Sequence, residues 1–258
     1  YKAAKAAGIK PIIGCEVYVA PRTRLDKVHE LDDHPYHLIL LCRNEVGYRN
    51  LSALVSRGFT EGFYSKPRVD WELLERYHEG LIALSACLAG QVPRLLLGGN
   101  YEGAKAHALQ MRDLFGADSY YLEIQDHSIP QQKTVLQGLL RLHQETGIPL
   151  VATNDAHYLT REDASIQDVG KTVEDPHRMR FETQEFYLKS EAEMAALFPD
   201  WPEALENTVK IAEACSVDFQ FGVYHLPEFK LPEGYTDGDA YFETLCRQGF
   251  AKRYPQGS

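Results

Sequence analysis

Ile148-Pro149-Leu150-Val151-Ala152-Thr153-Asn154-Asp155-Ala156-His157 is an apolar run that ends by delivering an aspartate and a histidine two residues apart. The run reads as a strand, and the period-2 alternation of a strand would point Asp155 and His157 to one side of the backbone. At the C-terminal end of a strand in an α/β fold, that side opens on the cleft where chemistry is placed. A hard carboxylate beside a borderline imidazole suits Zn, Mn or Fe. Alone, Asp-x-His also describes a solvated strand end, so other strands must supply further ligands.

Four other segments repeat the pattern. Residues 9–16 form an apolar run ending at Glu16, and 37–41 form one that opens with His37. Residues 81–87 end in Cys87, and 120–124 continue into Gln125-Asp126-His127. Singly, Cys87 reads as core and His37 as a satisfied buried histidine; the recurrence points to a shared site. Between these strands, helical periodicity covers 47–58, 71–78, 103–115 and 131–146, the last with a stripe of Val135, Leu136, Leu139, Leu140 and Leu142. Strand–helix alternation implies an α/β fold with a mainly parallel sheet or barrel. Ser190 opens a short helix over 191–198, with Glu193 in the capping-box position. An amphipathic helix over 202–215 presents Ala204, Leu205, Val209, Ile211, Ala212 and Cys215. Residues 225–234 read as a Pro- and Gly-rich linker, followed by a helix near 238–254.

With 258 residues, 44% hydrophobic and 25% charged, the chain has room for one large α/β domain and the start of another. No apolar run approaches the roughly 20 residues of a membrane span. The five cysteines, odd in number and scattered, argue against a disulfide framework and for a reducing, cytoplasmic setting. A net charge of −10 is a poor footprint for a free-standing nucleic-acid binder. Metal ions could supply the positive charge an acidic chain needs to act on phosphates. The chain opens on Tyr1-Lys2-Ala3-Ala4-Lys5-Ala6-Ala7-Gly8, which reads as the last turns of a helix, so residues are expected upstream.

Together, several motifs make a resemblance. These are Gly8-Ile9-Lys10-Pro11-Ile12-Ile13-Gly14-Cys15-Glu16, His37-Leu38-Ile39-Leu40-Leu41, Asn44-Glu45-Val46-Gly47-Tyr48-Arg49-Asn50-Leu51 and Ser85-Ala86-Cys87-Leu88-Ala89-Gly90. Further along come Tyr121-Leu122-Glu123-Ile124-Gln125-Asp126-His127, Ala152-Thr153-Asn154-Asp155-Ala156-His157-Tyr158, Pro202-Glu203-Ala204-Leu205-Glu206-Asn207-Thr208 and His225-Leu226-Pro227-Glu228-Phe229. In this order, over essentially the whole chain, they resemble the PHP (polymerase and histidinol phosphatase) domain of bacterial DNA polymerase III alpha subunits. The resemblance implies a distorted seven-stranded β/α barrel whose first strands lie upstream of Tyr1. It implies a PHP domain over 1–224, and over 225–258 a linker and first helix leading to a polymerase palm. It also implies a cluster of two or three Zn or Mn ions. Carried over position by position, Glu16, His37, Cys87, Asp155 and His157 are the metal ligands, with Asp155 and His157 carrying the catalysis. The family's other four ligands fall upstream. Relatives usually carry several more residues between Val169 and Gly170, so either this chain has a deletion there or, the favoured reading, a loop is left out and the two residues lie farther apart than bonded neighbours.

The function implied by the resemblance is that of a metal-dependent phosphoesterase, a candidate 3'→5' exonuclease, within a replicative polymerase. Its implied partners are DNA, a proofreading subunit and a sliding clamp, with no membrane. The alternative is a silent structural module that docks the proofreading subunit; a free-standing PHP phosphatase fits the extension over 203–229 less well. Asp126 or His127 would assist from the rim. Lys66 and Arg68 would either touch a phosphate or belong to a solvated loop.

Overall fold

The structure is a computed structural model that describes residues 1–169, 181–224 and 226–256. Its elements run α1 (Lys2–Ala6), β1 (Gly14–Val19), β2 (Tyr36–Cys42), α2 (Glu45–Thr60), β3 (Arg68–Val69), α3 (Trp71–Tyr77), β4 (Leu81–Leu84) and α4 (Gln91–Leu97). They continue α5 (Tyr101–Phe115), β5 (Tyr120–Ile124), α6 (Pro130–Thr146), β6 (Leu150–Ala152), α7 (Ala164–Val169), α8 (Glu191–Leu197), α9 (Pro202–Ala214) and α10 (Gly238–Arg253). The expected break after Val169 involves Gly170, which lies outside the described residues.

The fold is α/β, with a six-stranded sheet in the order β3-β1-β2-β4-β5-β6. Strand β2 pairs antiparallel with both β1 and β4, while the pairs β1–β3, β4–β5 and β5–β6 are parallel. The sheet is therefore mainly parallel with one reversed strand. The reason is local: the connection from β1 to β2 carries no helix, so the chain turns back beside itself. The later strands are separated by crossover helices and return parallel. The reversal places the beginning of β2 level with the C-terminal ends of β1 and β4.

Ile82 and Leu84 of β4, Tyr121 of β5 and Val151 of β6 alternate onto one face of the sheet, where Ile211 and Cys215 cover them. Asn207 of α9 fixes that contact by donating from Nδ2 to the Leu150 carbonyl at 2.7 Å. Helix α6 buries Val135, Leu139 and Leu142 and ends at Gly147 in the left-handed region. The capping box of Ser190 and Glu193 is formed as the spacing predicts. Val209, expected on the apolar side of α9, is 57% exposed and belongs to its outer face.

Helix α2 begins two residues earlier than its apolar stripe because Asn44 caps it, accepting from the Gly47 amide at 3.0 Å. Gly47 is required there, since a Cβ would lie 1.8 Å from the Gly80 carbonyl oxygen. Strand β3 and helices α4 and α7 are additions to the sequence reading. Each is too short to carry a period, and β3 has only two residues.

Contacts divide the chain into two compact units, Tyr1–Asp218 and Phe219–Ser258. In the second, Asp237 caps α10 and Tyr241 packs against Phe229 and Tyr235. All five cysteines are free thiols. Among the described residues no helix is long and apolar enough to cross a membrane.

Candidate metal centre

The antiparallel ladder of β1 and β2 sets Tyr18 opposite His37 and Glu16 opposite Ile39. Glu16 and His37 are thus diagonal neighbours on one face, within reach of each other's side chains. Glu16 Oε1 stands 3.2 Å from His37 Nδ1, and Tyr18 meets the imidazole edge-on at 5.1 Å. Glu16 lies inside β1 rather than at its end as the apolar run suggested, because the ladder with β2 continues to Val19.

The third donor arrives from β4. That strand stops at Leu84, so Cys87 lies in the loop beyond it and does not end the strand. The loop is tight: Ala86 has φ +63°, and the Gly90 amide donates to the Cys87 carbonyl at 2.8 Å. A Cβ on Gly90 would meet the Ser85 carbonyl at 2.1 Å, so the turn admits only glycine. The loop is pinned to the start of β2 by the His37 amide, which donates to the Ala89 carbonyl at 3.1 Å. This brings Cys87 Sγ to 3.7 Å from His37 Nδ1.

Glu16, His37 and Cys87 each offer one ligand atom, and these atoms lie within 4.8 Å of one another. A tetrahedral ion about 2.1 Å from N and O and about 2.3 Å from S would hold its N and O about 3.4 Å apart, and its N and S about 3.6 Å apart. The observed 3.2 and 3.7 Å fit that spacing. The donor set of carboxylate, imidazole and thiol suits Zn or Mn better than Mg. Without an ion, contact with Cys87 and then with Glu16 raises the His37 pKa to about 9. The same contact, with His37 as its main cause, lowers that of Glu16.

Asp155 and His157 form a second pair, 3.9 Å apart and outside this group of three. Strand alternation does not align them, because β6 ends at Ala152 and Asp155 takes φ +44°. A turn does: His157 Nδ1 is 2.7 Å from the Asp155 carbonyl. A carbonyl only accepts, so Nδ1 carries the proton and Nε2 is left as the nitrogen with a lone pair for a cation. The His157 amide donates to the Phe186 carbonyl at 2.8 Å, and its ring packs against Phe181 and Phe186. His157 adds to the lowering of Glu16 in the first group, and Asp155 contributes to raising Glu123 in the neighbouring strand.

Around this pair are residues that sequence reasoning missed or misplaced. Glu123, fully buried in β5, is pushed up to about 7 chiefly by burial. The available signal was a carboxylate inside a strand whose five residues are all buried. His127 is completely buried and not on the rim. It stacks on Phe186 at 4.0 Å and accepts at Nδ1 from Gln132 at 2.7 Å. Its Nε2–H therefore donates to the Asn154 carbonyl, 2.7 Å away, and steadies the residue before Asp155. Asp126 turns back on its own loop, accepting from the Ser128 amide.

Arg68 is neither in a solvated loop nor free to touch a phosphate. Its guanidinium is 0% exposed and donates to the carbonyls of Gly62, Arg24, Asp26 and Asp32. Lys66 is exposed, with its ammonium 5.4 Å from the centre of the Tyr18 ring beside His37.

Residues 1–127 match the PHP domain family. The chain is 47% identical over 260 residues to the DNA polymerase III subunit alpha of Treponema pallidum, covering 98% of this chain and 22% of that protein. It is 47% identical over 263 residues to the subunit of Borreliella burgdorferi, covering 98% and 23%, and 43% identical over 269 residues to that of Thermus aquaticus, covering 99% and 22%. The chain spans about a fifth of the length of these relatives. Its first 127 residues are thus similar to the PHP domain family, within a stretch similar throughout to DNA polymerase III alpha subunits.

Proposed function

We propose that this chain is the PHP-domain region of a DNA polymerase III alpha subunit, with the domain over 1–224 and the approach to the polymerase palm over 225–258. The complete domain would be a distorted seven-stranded barrel holding two or three Zn or Mn ions. Glu16, His37 and Cys87 would hold one ion, with Asp155 and His157 completing the cluster. The observation that carries the reading is the meeting of those three donors within 4.8 Å.

Bound divalent ions would supply Lewis acidity toward a phosphodiester and neutralise charge building on phosphorus. The chain's residues prepare for this. Glu16 gives a carboxylate held ionised, and His37 must shed its proton to offer a lone pair at Nδ1. His157 is fixed with Nε2 available. Lys66, with its ammonium beside the Tyr18 ring, would meet a backbone phosphate. The reaction would be 3'→5' phosphodiester hydrolysis, in a cytoplasmic assembly with DNA, a proofreading subunit and a sliding clamp.

A second reading, a structural module whose ion serves the fold and which docks the proofreading subunit, is favoured by the separation of Asp155 and His157 from the other three donors. Metal content and a 3'→5' exonuclease assay on the full-length protein with added Mn or Zn, wild type against Asp155→Ala, distinguish the two. Metal-dependent cleavage lost in the variant supports the phosphoesterase. Bound metal without cleavage supports the structural module, and absence of metal overturns both.

A further inference from the structure

Resting on the metal-centre reading above, we infer that Glu123 is a positioning residue that ties the Cys87 loop to the Asp155–His157 loop and sets the span between the two halves of the ligand set. Glu123 occupies β5, the strand between β4 and β6, from whose ends the two loops depart. Toward β4, its amide donates to Ser85 Oγ at 2.8 Å, two residues before Cys87. Toward β6, its Oε1 accepts from Thr153 Oγ1 at 2.5 Å, two residues before Asp155. Gln125 Nε2 closes a triangle, donating to Glu123 Oε1 at 2.9 Å and contacting Thr153 Oγ1 at 3.0 Å. Glu123 and Cys87 line the same small cavity of about 10 Å³.

Each loop needs such a hold. Ala86 and Asp155 adopt left-handed φ values of +63° and +44° without being glycine. Residues in that region cost about 1–3 kcal/mol and keep their conformation only where their surroundings fix it. The contacts fall one residue before Ala86 and two before Asp155. The carboxylate itself is fully buried, and its Oε2 is the one buried side-chain N or O atom without a hydrogen-bond partner among the described residues. Burying such a group is costly. The backbone amide of Glu123 holds the Cys87 loop through Ser85, and the acceptor at the tip of its side chain holds the Asp155 loop through Thr153.

The test uses full-length protein, with Zn(II) alone as the probe. Zinc affinity is measured by chelator competition, and metal-free stability by thermal melting in EDTA, for wild type, Glu123→Ala, Glu123→Gln and Thr153→Val. Glu123→Ala is expected to weaken zinc binding 10–100-fold, the range for removal of a residue that orients ligands. Glu123→Gln, which keeps an oxygen acceptor for Thr153 and Gln125, should stay within about threefold of wild type; loss equal to that of Glu123→Ala would make Glu123 a ligand and overturn the assignment. Thr153→Val preserves shape and decides the matter if Glu123→Ala does not fold; it should weaken binding by about tenfold. A lower melting temperature with unchanged zinc affinity in both Glu123→Ala and Thr153→Val would reduce the triangle to a fold contact and refute the inference. Wild type that takes up no zinc would refute the metal-centre reading first, and this inference with it.

Discussion

Replacing Arg68 by Met should destabilise the first unit severely, although Arg68 is not one of the candidate ligands. Its guanidinium is 0% exposed and donates to four backbone carbonyls: Asp26 at 2.7 Å, Gly62 at 3.0 Å, Arg24 at 3.1 Å and Asp32 at 3.3 Å. Arg24 and Asp32 are buried, so their carbonyls would find no replacement donor, and the buried Gly62 carbonyl would keep only the backbone amide of residue 68, at 3.3 Å. A bond from a charged donor is worth about 1.5–3 kcal/mol, and Met refills most of the volume. Discounting the longest bond and the half-buried Asp26, the expected loss is about 3–5 kcal/mol. For a unit of this size that is a fall of roughly 10 °C in melting temperature. Arg68→Lys should lose more than half as much, because a compact ammonium cannot span four acceptors. Urea titration and thermal melting of the chain measure both. A loss below about 1 kcal/mol for Arg68→Met would refute the argument that these carbonyls depend on it.

Three further outcomes are expected. Gly47→Ala places a methyl 1.8 Å from the Gly80 carbonyl oxygen, so α2 must lift from the turn before β4, at a cost of about 3 kcal/mol or more read by denaturant titration. Burial lowers the His107 pKa to about 4, only partly opposed by a bond with Gln110. The unfolded chain therefore takes up a proton that the folded one refuses. Stability should fall as pH drops from about 6.5 to about 4, by up to about 3 kcal/mol, and His107→Gln should flatten that part of the stability–pH curve. Asp155→Ala combined with His157→Ala should lower the metal content of the full-length protein, leaving at most the ion held by Glu16, His37 and Cys87, with polymerisation largely intact. Elemental analysis and primer extension check this, and unchanged metal content would remove both residues from the ligand set.

The residues of the site were legible in the sequence more clearly than their geometry. The runs at 37–41, 81–87, 120–124 and 148–152 are apolar enough to show as strands, and each carries a chemically distinctive residue near an end. What periodicity could not show was direction. His37 joins the C-terminal ends of β1 and β4 because β2 is reversed, a consequence of the connection between β1 and β2 lacking a crossover helix. Nor could alternation reveal that Asp155 and His157 meet through a turn, since the left-handed conformation of Asp155 is imposed by neighbours distant in sequence. Arg68 was misread because Tyr64-Ser65-Lys66-Pro67-Arg68 looks like a polar loop. The burial of its last residue depends on carbonyls that the 24–32 segment supplies only once folded.

Glu16, His37 and Cys87 come from two strands and a loop that the unfolded chain holds far apart, so closing them around one cation costs chain entropy before any ligand bond forms. Of the five candidate ligands, Asp155 and His157 alone are near neighbours in the denatured chain. Occupancy would therefore report that the β1–β2 register and the Cys87 turn are both correct. A one-residue slip in that ladder would turn His37 to the opposite face and dissolve the grip. Metal retention would act as an inspection of assembly, passed only by molecules whose sheet has closed in the right register.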